Sequence, residues 1–343
     1  QQSSAASDVY KRQKLWVTVH IEDQESEKIW LEKIGLDKKR ISKLNEDNFW
    51  SMGDTGPCGP CSEIFYDHGD SLEGSPPEEG KDTGDRFVEI YNIVFMQFNR
   101  DIEGNLKPLP KPSVDTGMGL ERISAVMQGT PDNYQTDLFI PLIKKISELT
   151  GEKDLLNPSL RVIADHLRAS CFMISDGIAI GNEGRNYVLR RIIRRALRHA
   201  YKLNSENFYV MSKLATYFSD TYKELYPEIE KNNSFIEKAL HEEEEKFGAT
   251  LNQGMSLLDE EVKKLKGKVI SGDLAFRLYD TFGFPLDMTI DFARENNLNV
   301  DIEEYEKLMD LQKTRAKESN TFSSLLPSSI EVDGDTNFVG YDE

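Results

Sequence analysis

The stretch of residues 113–122 restricts the fold and function of this chain more than any other. It reads Ser-Val-Asp-Thr-Gly-Met-Gly-Leu-Glu-Arg, a pattern that predicts an extended segment carrying Asp115, a turn at Gly117 and Gly119, and a helix with Arg122 in its first turn. Such glycines admit a flat ligand, and a helix N-terminus with a guanidinium attracts phosphate. The stretch therefore predicts a ligand site in which Asp115 holds an ammonium group. An ordinary strand-to-helix turn, capped by the threonine of the stretch, is the alternative.

Composition and charge narrow the class of protein. The length of 343 residues suits about two domains. No apolar run approaches the length of a membrane span, and no signal peptide is visible. Three cysteines are too few for a disulfide framework, so we expect a cytoplasmic protein. The net charge of −18 argues against indiscriminate coating of nucleic acid, so a polyanionic partner must meet a local basic surface.

The hydrophobic pattern changes near residue 128. Before it, strands are expected at 15–21 and 86–98, and the glycine- and proline-rich stretches 47–69 and 105–112 are expected to be turns. After it, apolar residues recur with the helical period. The predicted helices are 137–149, 160–175, 186–202, 208–222 and 234–266. The chain is therefore predicted to have an α+β fold, in which a sheet region precedes a helical region.

The predicted helix at 186–202 has a strongly basic face and contains no acidic residue. Its arginines are Arg190, Arg191, Arg194, Arg195 and Arg198. They occupy an arc of about 140° on a helical wheel, and apolar residues occupy the opposite side. Two interpretations stay open. The arginines form ion pairs with the neighbouring acidic helix, or they contact a nucleic-acid backbone.

The pair Cys58-x-x-Cys61 is similar in spacing to zinc and redox motifs. A zinc site would need a second pair of ligands at regular spacing, and the sequence offers none. Prolines flank both thiols, whereas a redox pair is typical of a strand-to-helix junction. We therefore predict no metal here, and interpret the segment as a rigid loop that shapes a pocket with Trp50 and Glu63 nearby.

Several ordered stretches together resemble the alanine-specific branch of the class II aminoacyl-tRNA synthetases. They are residues 48–64, 89–98, 113–122, 161–166, 187–191 and 276–285, and the third resembles motif 3 of that class. The resemblance extends from about residue 14 to the end. It implies an incomplete antiparallel class II sheet with flanking helices over 14–128, and an all-α tRNA-recognition domain over 129–317. A linker and the first residues of an editing-domain barrel would follow over 318–343, whereas residues 1–13 are interpreted as a non-native leader.

The resemblance implies ATP-dependent attachment of alanine to tRNA(Ala) through an alanyl adenylate, with Mg²⁺ accompanying ATP. Arg122 and Asp115 would be the catalytic residues, because they would bind the γ-phosphate of ATP and the ammonium of alanine. The implied ATP-binding residues are Gly117, Gly119 and Arg122, and the implied alanine-binding residues are Trp50, Val94 and Asp115.

For tRNA, the resemblance assigns base recognition to Asn182 and Asp280. These positions correspond to the family residues that read the G·U wobble pair of the acceptor stem. The arginine face at 186–202 would lie along the RNA backbone, where it would position the RNA without specifying its sequence.

The resemblance also implies segments outside this chain. Motifs 1 and 2, the latter with the arginine that binds the α-phosphate, are expected before residue 14. The editing domain and a zinc-binding set are expected beyond residue 343. We therefore expect a piece of a longer enzyme that is inactive alone. The alternative is a non-catalytic paralogue that binds the tRNA acceptor stem, but intact motif 3 residues argue against it.

Overall fold

The computed structural model describes residues 13–204, 208–265 and 267–319. The chain divides into two compact units, residues 1–144 and residues 145–343. The first unit contains a sheet and the second is predominantly helical. The α+β prediction is therefore confirmed. No helix within the described ranges combines the length and the apolar character needed to cross a membrane.

A six-stranded sheet forms the centre of the first unit. Its strands are β1 (Leu15–His20), β2 (Ile41–Leu44), β3 (Phe49–Ser51), β4 (Gly56–Asp67), β5 (Phe87–Arg100) and β6 (Leu106–Met118). The order is β2-β1-β4-β5-β6, and β3 pairs with β4. The sheet is mixed, and not purely antiparallel as the resemblance implied, because β1 and β2 are parallel. The connection between them contains helix α1 (Gln24–Lys28) and a π-helical turn, which give the crossover that parallel strands require.

Two stretches that the sequence predicts to be turns are instead strands. Most of the glycine- and proline-rich run 53–61 lies in β4, and the run 105–112 lies in β6. In β4, a Cβ atom on Gly59 would overlap the carbonyl oxygen of Phe95 on the neighbouring strand, so the glycine allows a close approach of two backbones. The prolines of β6 are tolerated because β6 is the last strand in the order of the sheet, and an edge strand needs fewer N–H donors.

The helix that follows β6 packs against the sheet through its apolar side. This helix is α2 (Leu120–Gln128). Its Val126 joins Tyr66 and Ile90 in a buried cluster, and Ile123 packs against the same cluster. The burial of these side chains positions the start of α2 next to β5, where the predicted ligand site lies.

The second unit consists of helices with one short strand pair. The helices from residue 140 onward are α3 (Ile140–Thr150), α4 (Pro158–Ser175), α5 (Gly184–Leu203), α6 (Met211–Tyr222), α7 (Pro227–Lys264), α8 (Gly272–Phe282), α9 (Leu286–Glu295) and α10 (Ile302–Ser319). Every helix predicted above is present with shifted ends. The long helix begins at Pro227, a residue favoured in the first turn of a helix, and not at 234 as predicted. Two-residue strands β7 (Val269–Ile270) and β8 (Asn299–Val300) pair in parallel, so the unit is not strictly all-α.

The apolar side of α5 lies in the core of the second unit, as its sequence pattern predicts. Leu189, Ile193 and Leu197 are fully buried there. The predicted leader lies outside the described residues except for its last position, and so does the predicted linker beyond Ser319.

Candidate functional site

The register of the sheet brings the residues of motif 3 opposite polar and apolar residues of β5. Asn92 is paired with Gly117, and Val94 is paired with Asp115. On the other side of β5, Asn92 is paired with Glu63 of β4. Residues directly opposite each other in a sheet project from the same face. One face of the sheet therefore carries Glu63, Asn92, Val94, Asp115 and the open side of Gly117.

Trp50 lies in β3, next to the same part of β4. It is paired with Gly59 of β4, two residues before Cys61, and Cys61 is paired with Val94. The β4–β5 pairing shifts register between Cys58 and Cys61, so strand pairing places Trp50 beside this part of the sheet and does not fix its face. Val94 is buried, Trp50 is half-buried and Asp115 is exposed. The structure thus brings Val94 and Asp115 to one face of the sheet, and Trp50 lies on the neighbouring strand β3.

Arg122 is held at the side of β5. Its Nη1 donates a hydrogen bond of 2.7 Å to the carbonyl oxygen of Glu89 and lies 3.4 Å from the Glu89 carboxylate. The side chain is 47% exposed. The N-cap of α2 is Gly119, which makes no side-chain capping bond, and Thr116 lies within β6 opposite Ile93. The alternative of an ordinary turn capped by Thr116 is therefore wrong.

The two glycines of motif 3 differ in their surroundings. Gly117 lies inside β6 and not in a turn as predicted, and a Cβ atom on it would meet nothing within 4 Å. Gly119 lies between β6 and α2 with a φ of −71°, and a Cβ atom there would lie 3.3 Å from Cδ of Arg122. Neither glycine is required by a left-handed backbone. The space above Gly117 is therefore open to a flat ligand.

Glu63 lies at the centre of a polar network on this face. Oγ1 of Thr18 donates a hydrogen bond to it at 3.3 Å, and Nδ2 of Asn92 donates another at 3.2 Å. Burial raises the pKa of Glu63 to about 7, and the negative charge of Glu89 contributes in the same direction. Burial therefore favours the protonated form of Glu63 in the folded chain.

Two amide oxygens of the network have no hydrogen-bond partner in the described part of the chain. They are Oδ1 of Asn48 and Oδ1 of Asn92, both buried. Nδ2 of Asn48 donates to Oγ1 of Thr18 at 2.8 Å. A buried acceptor without a donor is costly, so Asn92 beside Gly117 is a candidate acceptor for a donor group of a ligand.

The sequence pattern placed Glu63 near a pocket but assigned it no role. It did not indicate four other residues of the network, which are Thr18, Asn48, Glu89 and Asn92. A signal for one of them was present. Asn92 is a polar residue between the apolar and aromatic residues at 90–91 and 93–96 of β5, and its spacing of two from Val94 places both on the same face.

The cysteine pair is consistent with a structural role. Cys58 and Cys61 are free thiols, both buried within β4. Burial raises the pKa of Cys61 to about 11, which disfavours the thiolate that metal binding and redox exchange require. Among the described residues, no group of three or more His, Cys, Asp or Glu side chains is arranged to hold a metal ion.

In the second unit, every arginine of the basic face of α5 lies near a carboxylate. Nε of Arg190 and Nε of Arg194 lie 3.4 and 2.6 Å from Oε1 of Glu243, Arg191 lies 3.7 Å from Asp287, Arg195 lies 2.8 Å from Asp291, and Arg198 lies 2.9 Å from Glu295. Asp287, Asp291 and Glu295 recur every four residues along α9, so one face of α9 matches the face of α5. The structure therefore contains the ion pairing that was one of the two interpretations, but only Arg190 and Arg194 pair with the long acidic helix α7, and the other three pair with α9.

The arginines differ in their access to solvent. The side chains of Arg191 and Arg195 are 43% and 36% exposed, whereas that of Arg198 is 2% exposed. The structure therefore does not support Arg198 as a contact to an RNA backbone. Arg191 and Arg195 retain the exposure that such a contact needs, and their role stays a prediction.

The two residues assigned to base recognition are exposed, and each accepts a hydrogen bond within the second unit. Oδ1 of Asn182, in the loop before α5, accepts from Nη1 of Arg190. Oδ1 of Asp280, in α8, accepts from Nε2 of Gln312. Both side chains are thus oriented by a neighbour and remain accessible from solvent.

The sheet with its strand-to-helix motif, followed by a helical unit, defines a class II aminoacyl-tRNA synthetase. The family described as tRNA synthetases class II (A) matches residues 8–343, and the chain belongs to this family. The match begins within residues 1–13, which the sequence predicted to be a leader.

Curated relatives narrow the similarity further. The chain is 54% identical over 332 residues to the alanine–tRNA ligase of Hydrogenovibrio crunogenus. It is 53% identical over 332 residues to that of Psychromonas ingrahamii, and 53% identical over 331 residues to that of Methylococcus capsulatus. Each alignment covers 96% of this chain and 38% of the relative. The chain thus spans less than half the length of the relatives it matches.

Proposed function

We propose that this chain belongs to an alanine–tRNA ligase, within which it activates alanine with ATP and recognises the acceptor stem of tRNA(Ala). The observation that carries the proposal is the shared face of Val94 and Asp115 next to the open side of Gly117, with Trp50 on the adjacent strand β3. An amino acid and a nucleotide could lie side by side on this face. The similarity to alanine–tRNA ligases over 96% of the chain supports the same conclusion.

Alanine is bound through its ammonium group. The exposed carboxylate of Asp115 accepts from the ammonium, and Oδ1 of Asn92 is a second acceptor without a partner of its own. Val94 and Trp50 limit the space for the side chain to about a methyl group. Exclusion of one extra methylene by such a pocket is worth about 1–3 kcal/mol.

ATP arrives as its complex with Mg²⁺. The adenine lies against the open backbone at Gly117, and the guanidinium of Arg122 binds the terminal phosphate. The carboxylate oxygen of alanine attacks the α-phosphorus, the bond to the bridging oxygen breaks, and pyrophosphate leaves. Arg122 lowers the barrier because it offers a positive charge where negative charge builds up on the leaving group. The terminal ribose hydroxyl of the tRNA then attacks the alanyl carbonyl and releases AMP.

Recognition of tRNA uses the second unit. Asn182 and Asp280 read the G·U wobble pair, and both side chains are exposed and hydrogen-bonded in place. Arg191 and Arg195 contact the backbone, because their side chains are the more exposed ones on the basic face. Base contacts confer discrimination and backbone contacts confer affinity that depends on salt.

We further propose that the 343-residue chain alone forms little alanyl adenylate. The resemblance assigns the α-phosphate contact to an arginine of motif 2, and residues 14–343 contain no stretch that resembles this motif. Without that contact, charge on the α-phosphate is not neutralised and the two reactants are incompletely positioned.

A chimaeric enzyme tests the proposed function. In this chimaera, residues 14–343 replace the matching region of the Hydrogenovibrio crunogenus alanine–tRNA ligase. We expect pyrophosphate exchange into ATP that depends on alanine, and a large loss of that exchange in Asp115→Asn, which removes the negative charge and retains the shape. Exchange that does not depend on alanine, or an Asp115→Asn variant with normal KM for alanine, would contradict the proposal.

A further inference from the structure

Glu243 is a buried carboxylate that serves two arginines. It lies in α7, and its side chain is 2% exposed. Nε of Arg194 donates a 2.6 Å hydrogen bond to its Oε1, and Nε of Arg190 lies 3.4 Å from the same oxygen as an ion pair without a hydrogen bond. A buried charge is destabilising unless it is paired, and loss of one partner leaves the others uncompensated. Glu243 and the two arginines therefore depend on one another.

Each of the two arginines also holds a segment that carries a proposed base-reading residue. Nη1 of Arg190 donates to Oδ1 of Asn182. Nη1 of Arg194 donates to the carbonyl oxygen of Gly283 at 2.6 Å. Gly283 is the C-cap of α8, three residues after Asp280. The carboxylate of Glu243 is thus linked through one guanidinium to Asn182, and through the other to the end of the helix that carries Asp280.

Other residues on the same side of α7 hold this end of α8 as well. The guanidinium of Arg194 lies 4.8 Å from the ring centre of Phe247, which packs against Phe284 with ring centres 5.6 Å apart. Oγ1 of Thr250 donates to the carbonyl oxygen of Phe282 at 2.9 Å. Glu243, Phe247 and Thr250 follow at intervals of four and three residues, so they share one face of α7. That face fixes the segment 282–284.

We propose that Glu243 is a positioning residue for recognition of the acceptor stem. Its carboxylate orients Arg190 and Arg194, and through them it sets the placement of Asn182 relative to the helix of Asp280. The proposal rests on the proposed function, in which Asn182 and Asp280 read the G·U pair. Glu243 itself is buried and makes no contact with RNA.

The substitution Glu243→Gln isolates this role. It retains the size of the side chain and an oxygen acceptor for Arg194, but it removes the charge that balances two guanidiniums. Arg190 and Arg194 then lose the negative charge that they share, so the link between Asn182 and the end of α8 is weakened. Arg191 and Arg195 pair with Asp287 and Asp291, so backbone contacts stay in place.

The experiment measures binding of the 343-residue chain to two RNA minihelices that carry the acceptor stem with G·U or with G·C. We expect the unsubstituted chain to prefer the G·U minihelix by about tenfold or more, as for a good base contact. Glu243→Gln is expected to lose most of this preference while its affinity for the G·C minihelix changes little. Glu243→Asp, which keeps the charge, is expected to recover part of the preference.

Glu244→Gln is the matched control. Glu244 is the adjacent residue and is fully buried. Its carboxylate accepts from the backbone N–H of Met211 at 2.7 Å and from that of Ser212 at 3.2 Å, so it caps α6 and touches neither arginine. We expect this variant to lower the melting temperature and to leave the G·U preference intact.

The outcomes separate this inference from the proposed function. Retained preference in Glu243→Gln, or an equal loss in Glu244→Gln, would overturn the positioning role. The variants Asn182→Ala and Asp280→Ala are measured in parallel. If both retain the preference, or if the unsubstituted chain shows none, the proposed recognition by Asn182 and Asp280 fails, and the role of Glu243 fails with it.

Discussion

Nη1 of Arg122 donates a 2.7 Å hydrogen bond to the carbonyl oxygen of Glu89, and this bond joins the first turn of α2 to β5. The Glu89 carboxylate lies 3.4 Å from the same nitrogen. The side chain of Arg122 is held by Glu89 and is 47% exposed. Its guanidinium is therefore oriented beside the open face before any ligand binds. An oriented charge of this kind stabilises a transition state without reorganisation.

Arg122→Ala in the chimaeric enzyme is expected to slow alanine-dependent pyrophosphate exchange. The activation free energy should rise by roughly 2–4 kcal/mol, the size found for other preorganised donors. Arg122→Lys retains the charge but not the planar guanidinium, so its exchange rate should lie between that of the unsubstituted enzyme and that of Arg122→Ala. Near-normal exchange in Arg122→Ala would remove Arg122 from the adenylation step.

Gly117→Ala is expected to impair ATP binding without affecting the fold. A Cβ atom there meets no protein atom within 4 Å, so the melting temperature should stay close to that of the unsubstituted chain, while KM for ATP rises in the exchange assay. Gly59→Ala is the contrasting variant, because its Cβ would overlap the Phe95 carbonyl oxygen and should destabilise the sheet. A normal KM for ATP in Gly117→Ala would show that the open space is not used by the nucleotide.

Glu63 is expected to make the stability of the first unit depend on pH. Its pKa rises from 4.5 to about 7 on folding. Between these values the folded state binds more protons than the unfolded state, so the free energy of unfolding falls as pH rises from 4.5 to 7. The loss is at most about 3 kcal/mol.

Glu63→Gln has no carboxylate to titrate at this position. The difference in unfolding free energy between this variant and the unsubstituted chain should therefore change between pH 4.5 and 7 and stay constant above pH 7. Urea denaturation followed by tryptophan fluorescence suits the measurement, because Trp16, Trp30 and Trp50 all lie in the first unit. Glu89→Gln should narrow the window, since the charge of Glu89 also raises the pKa of Glu63. A difference that does not vary with pH would mean that Glu63 keeps an ordinary pKa.

Asn182→Ala and Asp280→Ala are expected to separate the two steps of the reaction. In the chimaeric enzyme, either change should lower charging of tRNA(Ala) and leave pyrophosphate exchange intact, because base contacts act only when tRNA is bound. Kinetics of both assays on the same preparation are the measurement. Parallel losses in both assays would indicate misfolding or a role in adenylation.

The arginines of α5 are expected to divide into two groups. For minihelix binding, the logarithm of the binding constant falls linearly with the logarithm of salt concentration. Arg191→Ala should reduce the size of this slope by about one, because an exposed phosphate contact is lost. Arg198→Ala should leave that slope unchanged and lower the free energy of unfolding by about 2–3 kcal/mol, because a buried side chain and its pair with Glu295 are lost. An unchanged slope in Arg191→Ala, or a reduced slope in a stable Arg198→Ala, would contradict this division.

The sequence alone was sufficient where the signal is local. Helical periodicity predicted every helix from α3 to α7, because burial of one helix face imposes a repeat of 3.6 residues. The order of Asp115, Gly117, Gly119 and Arg122 predicted a strand leading to a helix, and β6 followed by α2 confirms that order. The ligand roles of these residues stay predictions. The same ordered stretches were enough to identify the family.

Only the tertiary structure decided what depends on partners distant in the chain. Glycine and proline at 53–61 and 105–112 suggest turns locally, but pairing with β5 makes these stretches strands, because hydrogen bonds between strands outweigh a weak local preference. The raised pKa of Glu63 results from burial beside Glu89. In the same way, Arg191 and Arg198 are equivalent in the sequence pattern, and only the folded structure leaves one exposed and buries the other. Burial and pairing are properties of the folded chain, so no local pattern contains them.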